Sequence, residues 1–331
     1  MRIALFIFSC FLPFLLRAQF APRAGKPGST AVHKDSSLII GWATGCTAQR
    51  GWKDISRPDS GRASTGNEQA TIGKADASVL SLGDGGHAVL TFDPPIVNGP
   101  GADFAVFENG FNILAGNDSD FLELAFVEAS SDGVHFFRFP AFSENDTVTQ
   151  LSGFSGMKAS RIHNLAGKYT SGFGTPFDLE DLPADPLLNL EQITHLRITD
   201  VIGSLNDSFA TRDSRGNKIN DPWPTPFPSS GFDLDAVGVI HNVLFPNSLE
   251  RISAKKPGIF PNPLKKGEML HISNLPVEAA SIRITDFHGK TWFSSAEEDI
   301  TGINTEALPP GLYFISIYTS AGVWGENILI L

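Results

Sequence analysis

Apolar residues in this chain come in short runs that end at Gly, Pro, Asp or Asn. Leu38-Ile39-Ile40, Ala88 to Phe92, Phe104 to Phe107, His195 to Val201 and Phe232 to Ile240 are examples, and 32 Gly and 22 Pro punctuate the 331 residues. Runs of strand length bounded by turn-formers indicate short antiparallel strands, and no long helical period competes with them. The fold class expected is therefore all-β: a jelly-roll-like β-sandwich over residues 38–241 and a smaller sandwich over 258–331. Residues 242–257 have the composition of a linker, and 19–37, rich in Pro, Gly, Ala and Lys, that of a flexible N-terminal arm.

Met1 to Gln19 combines Arg2, an apolar run from Ile3 to Leu16 and the small residue Ala18. That pattern is a secretory signal peptide over 1–18. No later stretch has the roughly 18 consecutive apolar residues of a membrane span. Setting aside Arg2 and Arg17 leaves 23 basic against 36 acidic residues, a net charge of −13. Nucleic acid and anionic membrane surfaces require a basic footprint, so both are excluded as partners. Cys46 is the one cysteine outside the leader, so no intramolecular disulfide supports the fold, and the core must do so, helped by any bound ion.

Several local expectations follow. Ala77–Leu82 and Ala88–Phe92 flank the turn Gly83-Asp84-Gly85-Gly86 and read as a hairpin. Phe121 to Ser130 alternates, with Leu122, Leu124 and Phe126 on one face and Glu123 on the other, and Ser131-Asp132-Gly133 turns it into Val134–Phe139. Gly45 to Ala70 and Ala141 to Leu190 read as loop regions, the latter holding Tyr169, Phe173 and Phe177.

The densest chemistry lies between Asp213 and Ile240. Calcium takes six to eight oxygens from carboxylates, amides, carbonyls and water. Asp213, Asn217 and Asp221 recur around Gly216, and Asp233 and Asp235 alternate on the strand that follows the proline-rich Pro222–Pro228 loop. These five residues are the candidate metal ligands, with calcium as the cofactor. Trp223 on that loop, with Glu108 and Asn109 at a strand exit, are the candidate ligand-binding residues. No catalytic residue is assigned, because the metalloprotease, paired-cysteine and nucleophile-elbow patterns are absent. Paired carboxylates such as Glu108 and Asp235 leave a glycan-cleaving hydrolase as the alternative.

Two segments resemble known families. Pro261-Asn262-Pro263, Ile284-Thr285-Asp286-Phe287-His288-Gly289-Lys290 and Leu308-Pro309-Pro310-Gly311-Leu312-Tyr313-Phe314, in that order, resemble the type IX secretion C-terminal sorting domain. That resemblance implies an immunoglobulin-like sandwich, export across the outer membrane, and the type IX export and attachment machinery as a partner. The ending Glu326 to Leu331 departs from the family, which usually has a basic residue before the last strand.

Ser81-Leu82-Gly83-Asp84-Gly85-Gly86, Gly99-Pro100-Gly101-Ala102-Asp103-Phe104, Phe107-Glu108-Asn109-Gly110-Phe111 and Gly231-Phe232-Asp233-Leu234-Asp235-Ala236-Val237-Gly238 resemble an uncharacterised group of bacterial cell-surface proteins. Their sandwich is similar to galactose-binding or discoidin-like jelly rolls. The function these signals suggest is an exported cell-surface binding protein, calcium-stabilised, contacting an extracellular glycan. A structural surface or adhesion protein is the further alternative.

Overall fold

The computed structural model describes residues 20–113, 118–242, 257–273, 279–286, 290–295, 302–319 and 322–331. The signal peptide and most of the 242–257 linker lie outside the described residues. Regular structure is strand with a few single 3-10 turns, as the short apolar runs require.

Two antiparallel sheets face each other in the first domain. The six-stranded sheet runs Val32–His33, Phe173–Phe177, Phe104–Glu108, Asp233–Val239, and both Gly41–Trp42 and Leu80–Ser81 pair with the last of these. The five-stranded sheet runs Phe137–Arg138, Ala125–Ser130, Ile193–Asp200, His87–Ile96, Gly45–Gln49. Between them lie Leu90, Val106, Val127, Leu196, Ile198, Leu234 and Val237. Phe104, Phe139 and Phe177 form an aromatic triangle with centroids 5.1–5.8 Å apart. Burying a side chain of this size contributes about 2–3 kcal/mol, so this interior is the main source of stability.

Phe104–Glu108 and Asp233–Val239 are buried on both faces. Their outward residues Ala105, Phe107 and Ala236 lie under Val32, Trp42 and Ala75. Both strands consequently read as nearly continuous apolar runs rather than alternating ones.

Three local expectations are corrected. Leu80–Ser81 and His87–Ile96 do not form a hairpin. Leu80 and Ser81 pair with Leu234 and Asp233 in one sheet, and His87–Ile96 pairs with Gly45–Gln49 and Ile193–Asp200 in the other. Gly83 and Gly85, at φ +74° and +71°, carry the chain across the sandwich, a path that left-handed backbone at both positions permits. The 45–70 region is not all loop, since Gly45–Gln49 is an edge strand. Nor is 141–190: Phe173–Phe177 is a strand, and Tyr169 is buried with its hydroxyl 2.9 Å from the Thr30 hydroxyl.

The described part of the N-terminal arm, from Phe20 onward, makes two turns at Gly25 and Gly28, with φ +80° and +84°, and lies against the sandwich. Phe20 stacks on His163 at 5.0 Å, and Arg23 pairs with Asp120 at 2.8 Å. Residues from 258 onward form a second, smaller sandwich of three- and four-stranded sheets around Ile284, Ile315, Ile317 and Ile328.

Candidate functional site

Strand Phe104–Glu108 places Phe104 and Val106 in the core between the sheets, and side chains alternate along a strand, so Glu108 follows them inward. On the opposing sheet Leu196, Ile198 and Asp200 share the inward face of Ile193–Asp200. The two strands thus finish the apolar core with carboxylates. Asp84 of the crossing turn, Glu123, Asp221 and Asp233 join them, and all six side chains are on residues no more than 5% exposed.

Backbone and side-chain donors satisfy part of this cluster. Asp200 accepts from the Gly85 and Phe232 amides at 2.9 and 2.7 Å, and Asp221 from the Leu124 amide at 2.8 Å. Asp84 accepts from the Ile55 amide at 2.8 Å and the Trp223 indole at 3.0 Å. Asp233 is bonded by the Ser81 hydroxyl and by Asn109 Nδ2. Glu108 accepts from the Gly110 amide at 2.6 Å through Oε2, while its buried Oε1 has no partner among the described residues.

The six carboxylates form no salt bridge among the described residues. Loss of hydration disfavours their charged forms, and mutual repulsion adds to it. Burial pushes Asp200 up to about 8 and Asp84 and Asp233 up to about 6. It holds Glu108, Glu123 and Asp221 well above the ordinary carboxylate range, with repulsion from Asp233 or Asp200 adding to the effect.

Of the residues singled out in the sequence, Glu108, Asn109, Asp221, Trp223 and Asp233 come together here. Asp213 and Asn217 do not join them. Asp213 Oδ1 accepts from the Arg215 and Asn217 amides, both at 2.9 Å, and closes a turn around Gly216 at φ +82°. Asp235 also goes elsewhere. The pairing register shifts between Leu234 and Ala236, so the alternation that would align Asp235 with Asp233 is broken. Its two oxygens accept from the Asp76 and Ala77 amides, each at 3.1 Å. Among the described residues no three Asp, Glu, His or Cys side chains already meet as a metal site.

Glu123, Asp200 and Asp84 were missed. Asp200 had a signal, the alternation Leu196, Ile198, Asp200 that puts it on the core face. Glu123 had none, because residues 122–124 precede the strand that begins at Ala125, and Leu122, Glu123 and Leu124 are all buried.

Two other features stand apart from the acidic end. A cleft of about 650 Å³ opens beside Phe20, His163, Lys168 and Thr175. Lys168 is buried, its ammonium donates to the Ile162 carbonyl at 2.8 Å, and burial lowers it to about 8. Elsewhere a chain of rings reaches the surface: Phe111 on Phe121 at 4.8 Å, Phe121 to Phe154 at 5.8 Å, and Phe154 to Phe227 at 6.0 Å. Phe154 is 66% exposed, Phe111 47% and Phe227 44%.

In the second domain the Pro-Asn-Pro motif has a clear role. Asn262 Nδ2 donates to the Asn327 carbonyl at 2.7 Å and its Oδ1 accepts from the Leu329 amide at 3.0 Å, so its side chain pairs with the final strand. Tyr313 donates to the Pro309 carbonyl at 2.7 Å, closing the Pro-Pro-Gly-Leu-Tyr turn on itself. Residues 258–331 match the secretion system C-terminal sorting domain family. This segment is a type IX sorting domain. It directs the chain across the outer membrane to the cell surface or extracellular space, and the type IX machinery is its partner.

Comparison with curated proteins returned no match. Among solved structures the chain is similar to a β-glucuronidase of Ruminococcus gnavus, at 10% identity and a TM-score of 0.23, over 89% of this chain and 47% of that one. It is also similar to a β-1,2-glucanase of Parabacteroides distasonis, at 11% identity and a TM-score of 0.25, over 89% of this chain and 38% of that one. The chain spans less than half the length of these enzymes, and likeness at this level carries no inference about activity.

Proposed function

We propose that the first domain is a surface-displayed, non-catalytic glycan-binding sandwich carried outside the cell by its sorting domain. The observation that carries this reading is the exposed row of rings Phe111, Phe154 and Phe227, linked through Phe121. Aromatic faces offer large, rigid apolar area against which the C–H faces of sugar rings pack, at low cost in side-chain entropy. Trp223 is half-buried and anchored through its indole N–H to Asp84, so its contribution is to fix the proline-rich loop that also presents Phe227.

The hydrolase alternative draws less support. A glycosidase needs two carboxylates flanking the scissile bond. Glu108 and Asp235 are 1% and 2% exposed, and both are bonded to neighbouring backbone amides, so neither faces a sugar-sized opening.

A glycan array probed with the full exported chain tests the proposal. Binding to a defined subset of glycans that falls at least about tenfold in Phe154→Ala, as loss of a stacking contact of about 1.4 kcal/mol would give, is the expected result. Binding that is unchanged in Phe154→Ala and Phe227→Ala would overturn it.

A further inference from the structure

The cleft beside Phe20 holds a cation whose bonding is incomplete. An ammonium carries three N–H donors, yet Lys168, 4% exposed, has a single hydrogen-bond acceptor for its ammonium among the described residues, the Ile162 carbonyl at 2.8 Å. No carboxylate pairs with it among those residues. Burying a charge without a counter-ion is costly, and an anion entering the cleft would relieve that cost.

The ammonium stands on the inner wall of this cleft. Lys168 lines it together with His163 and Thr30. Its Nζ bonds the residue just before His163 and lies 5.5 Å from the centre of the Tyr169 ring, whose hydroxyl meets that of Thr30 at 2.9 Å. Much of the remaining polar lining is already bonded. The Thr175 hydroxyl accepts from the Lys168 amide at 3.2 Å, Asp181 accepts from Asn164 at 2.9 Å, and His241 Nδ1 is held by Asp103 at 2.7 Å. Val32, Leu38, Ala102, Pro176 and Ile240 supply apolar walls, and the volume of about 650 Å³ is that of a small-molecule site. Asp178, half-buried, and Asp181, exposed, stand towards the mouth.

We propose that this cleft binds a small monocarboxylate with an apolar body, its carboxylate on the Lys168 ammonium and its body against Val32, Leu38 and Ile240. The proposal is independent of the glycan reading, which rests on the exposed rings. The ligand's carboxylate supplies the acceptors that Lys168 lacks, in a charge-assisted pair. A second anionic group at the ligand's far end would meet Asp178 and Asp181, so the cleft accepts one negative charge and not two.

The test is calorimetric titration of the full exported chain with hexanoate and with 3-phenylpropionate, each beside its uncharged amide. At pH 7 at least one acid is expected to saturate one site per chain with a Kd below about 1 mM. Its amide should bind about 10- to 100-fold more weakly, and so should the acid to Lys168→Met, as loss of a charge-assisted hydrogen bond gives. Lys168 sheds its proton as pH rises through about 8, while His163 beside it, lowered by burial, stays neutral. Affinity should therefore fall at least about tenfold between pH 7 and 9.5. A wild-type chain that binds neither acid with a Kd below about 1 mM overturns the proposal. An amide that binds as tightly as its acid overturns it too, whether or not the variant folds. So does acid binding that is unchanged in Lys168→Met or at pH 9.5.

Discussion

Glu108 and Asp200 stand on strands of opposite sheets and face the same interior end of the sandwich, where the apolar core stops and a set of acids begins. Everything distinctive about the first domain is arranged around that end. The crossing turn at Asp84, the Trp223 loop and the start of strand Asp233–Val239 all attach there by hydrogen bonds.

Gly231 is where this arrangement tolerates no side chain. It sits at φ +68°, and a Cβ would lie 2.6 Å from Asp200 Oδ1 and 2.8 Å from the Gly83 backbone carbon. Gly231→Ala should lose about 2–4 kcal/mol from left-handed strain and overpacking together. Urea unfolding measures it.

Asp103 holds the other edge of the sandwich. Fully buried, it accepts from the Gly99 amide, the Leu179 amide and His241 Nδ1, each at 2.7 Å. Asp103→Ala would strand all three donors and should cost about 3–5 kcal/mol. Chemical denaturation of the variant, with Asp103→Asn recovering part of the loss, is the check.

Lys168 gives a pH dependence of definite sign. Its folded value of about 8 lies below the ordinary 10.5, so the folded chain holds its proton less tightly than the unfolded one. Below about pH 8 the full penalty of burying the ammonium applies, about 3 kcal/mol. As pH rises from 8 towards 10.5 the folded state sheds the proton first and the penalty is relieved. Between pH 7.5 and 9.5, wild-type stability should rise by about 2 kcal/mol relative to Lys168→Met in paired urea titrations.

Asn262 should matter to the sorting domain alone. Asn262→Ala removes two hydrogen bonds to the final strand and is expected to destabilise that domain by about 1–2 kcal/mol. Surface delivery, followed by protease accessibility on whole cells, should fall, with the melting of the first domain unchanged.

Much of this fold could be read from the residues. Ile193–Asp200 and Asp233–Val239 lie where alternation or continuous apolarity placed them. The Gly-Pro-Gly-Ala-Asp-Phe motif also has its reason, since a Cβ on Gly99 would lie 2.3 Å from the His241 ring. Sheet membership was not legible. Leu80–Ser81 pairs with Leu234 and Asp233 far along the chain, and a Gly-Asp-Gly-Gly turn has the same composition whether it closes a hairpin or crosses a sandwich. The acidic end was half legible. Asp221 and Asp233 stood out by crowding, whereas Asp235 was diverted by a register shift that side-chain pattern does not encode. Glu123 was assigned to the outward face of a strand that in fact begins two residues later, at Ala125.

Display of a glycan-binding, non-cleaving surface is the central claim, and one measurement addresses both halves. A polysaccharide identified on the array is titrated calorimetrically into the full exported chain, and the recovered polysaccharide is sized by chromatography after prolonged incubation. Saturable binding that is lost in the Phe154→Ala, Phe227→Ala double variant, with polysaccharide length unchanged, is the result expected. Shortening of the polysaccharide by the wild-type chain that disappears in Glu108→Gln would contradict it.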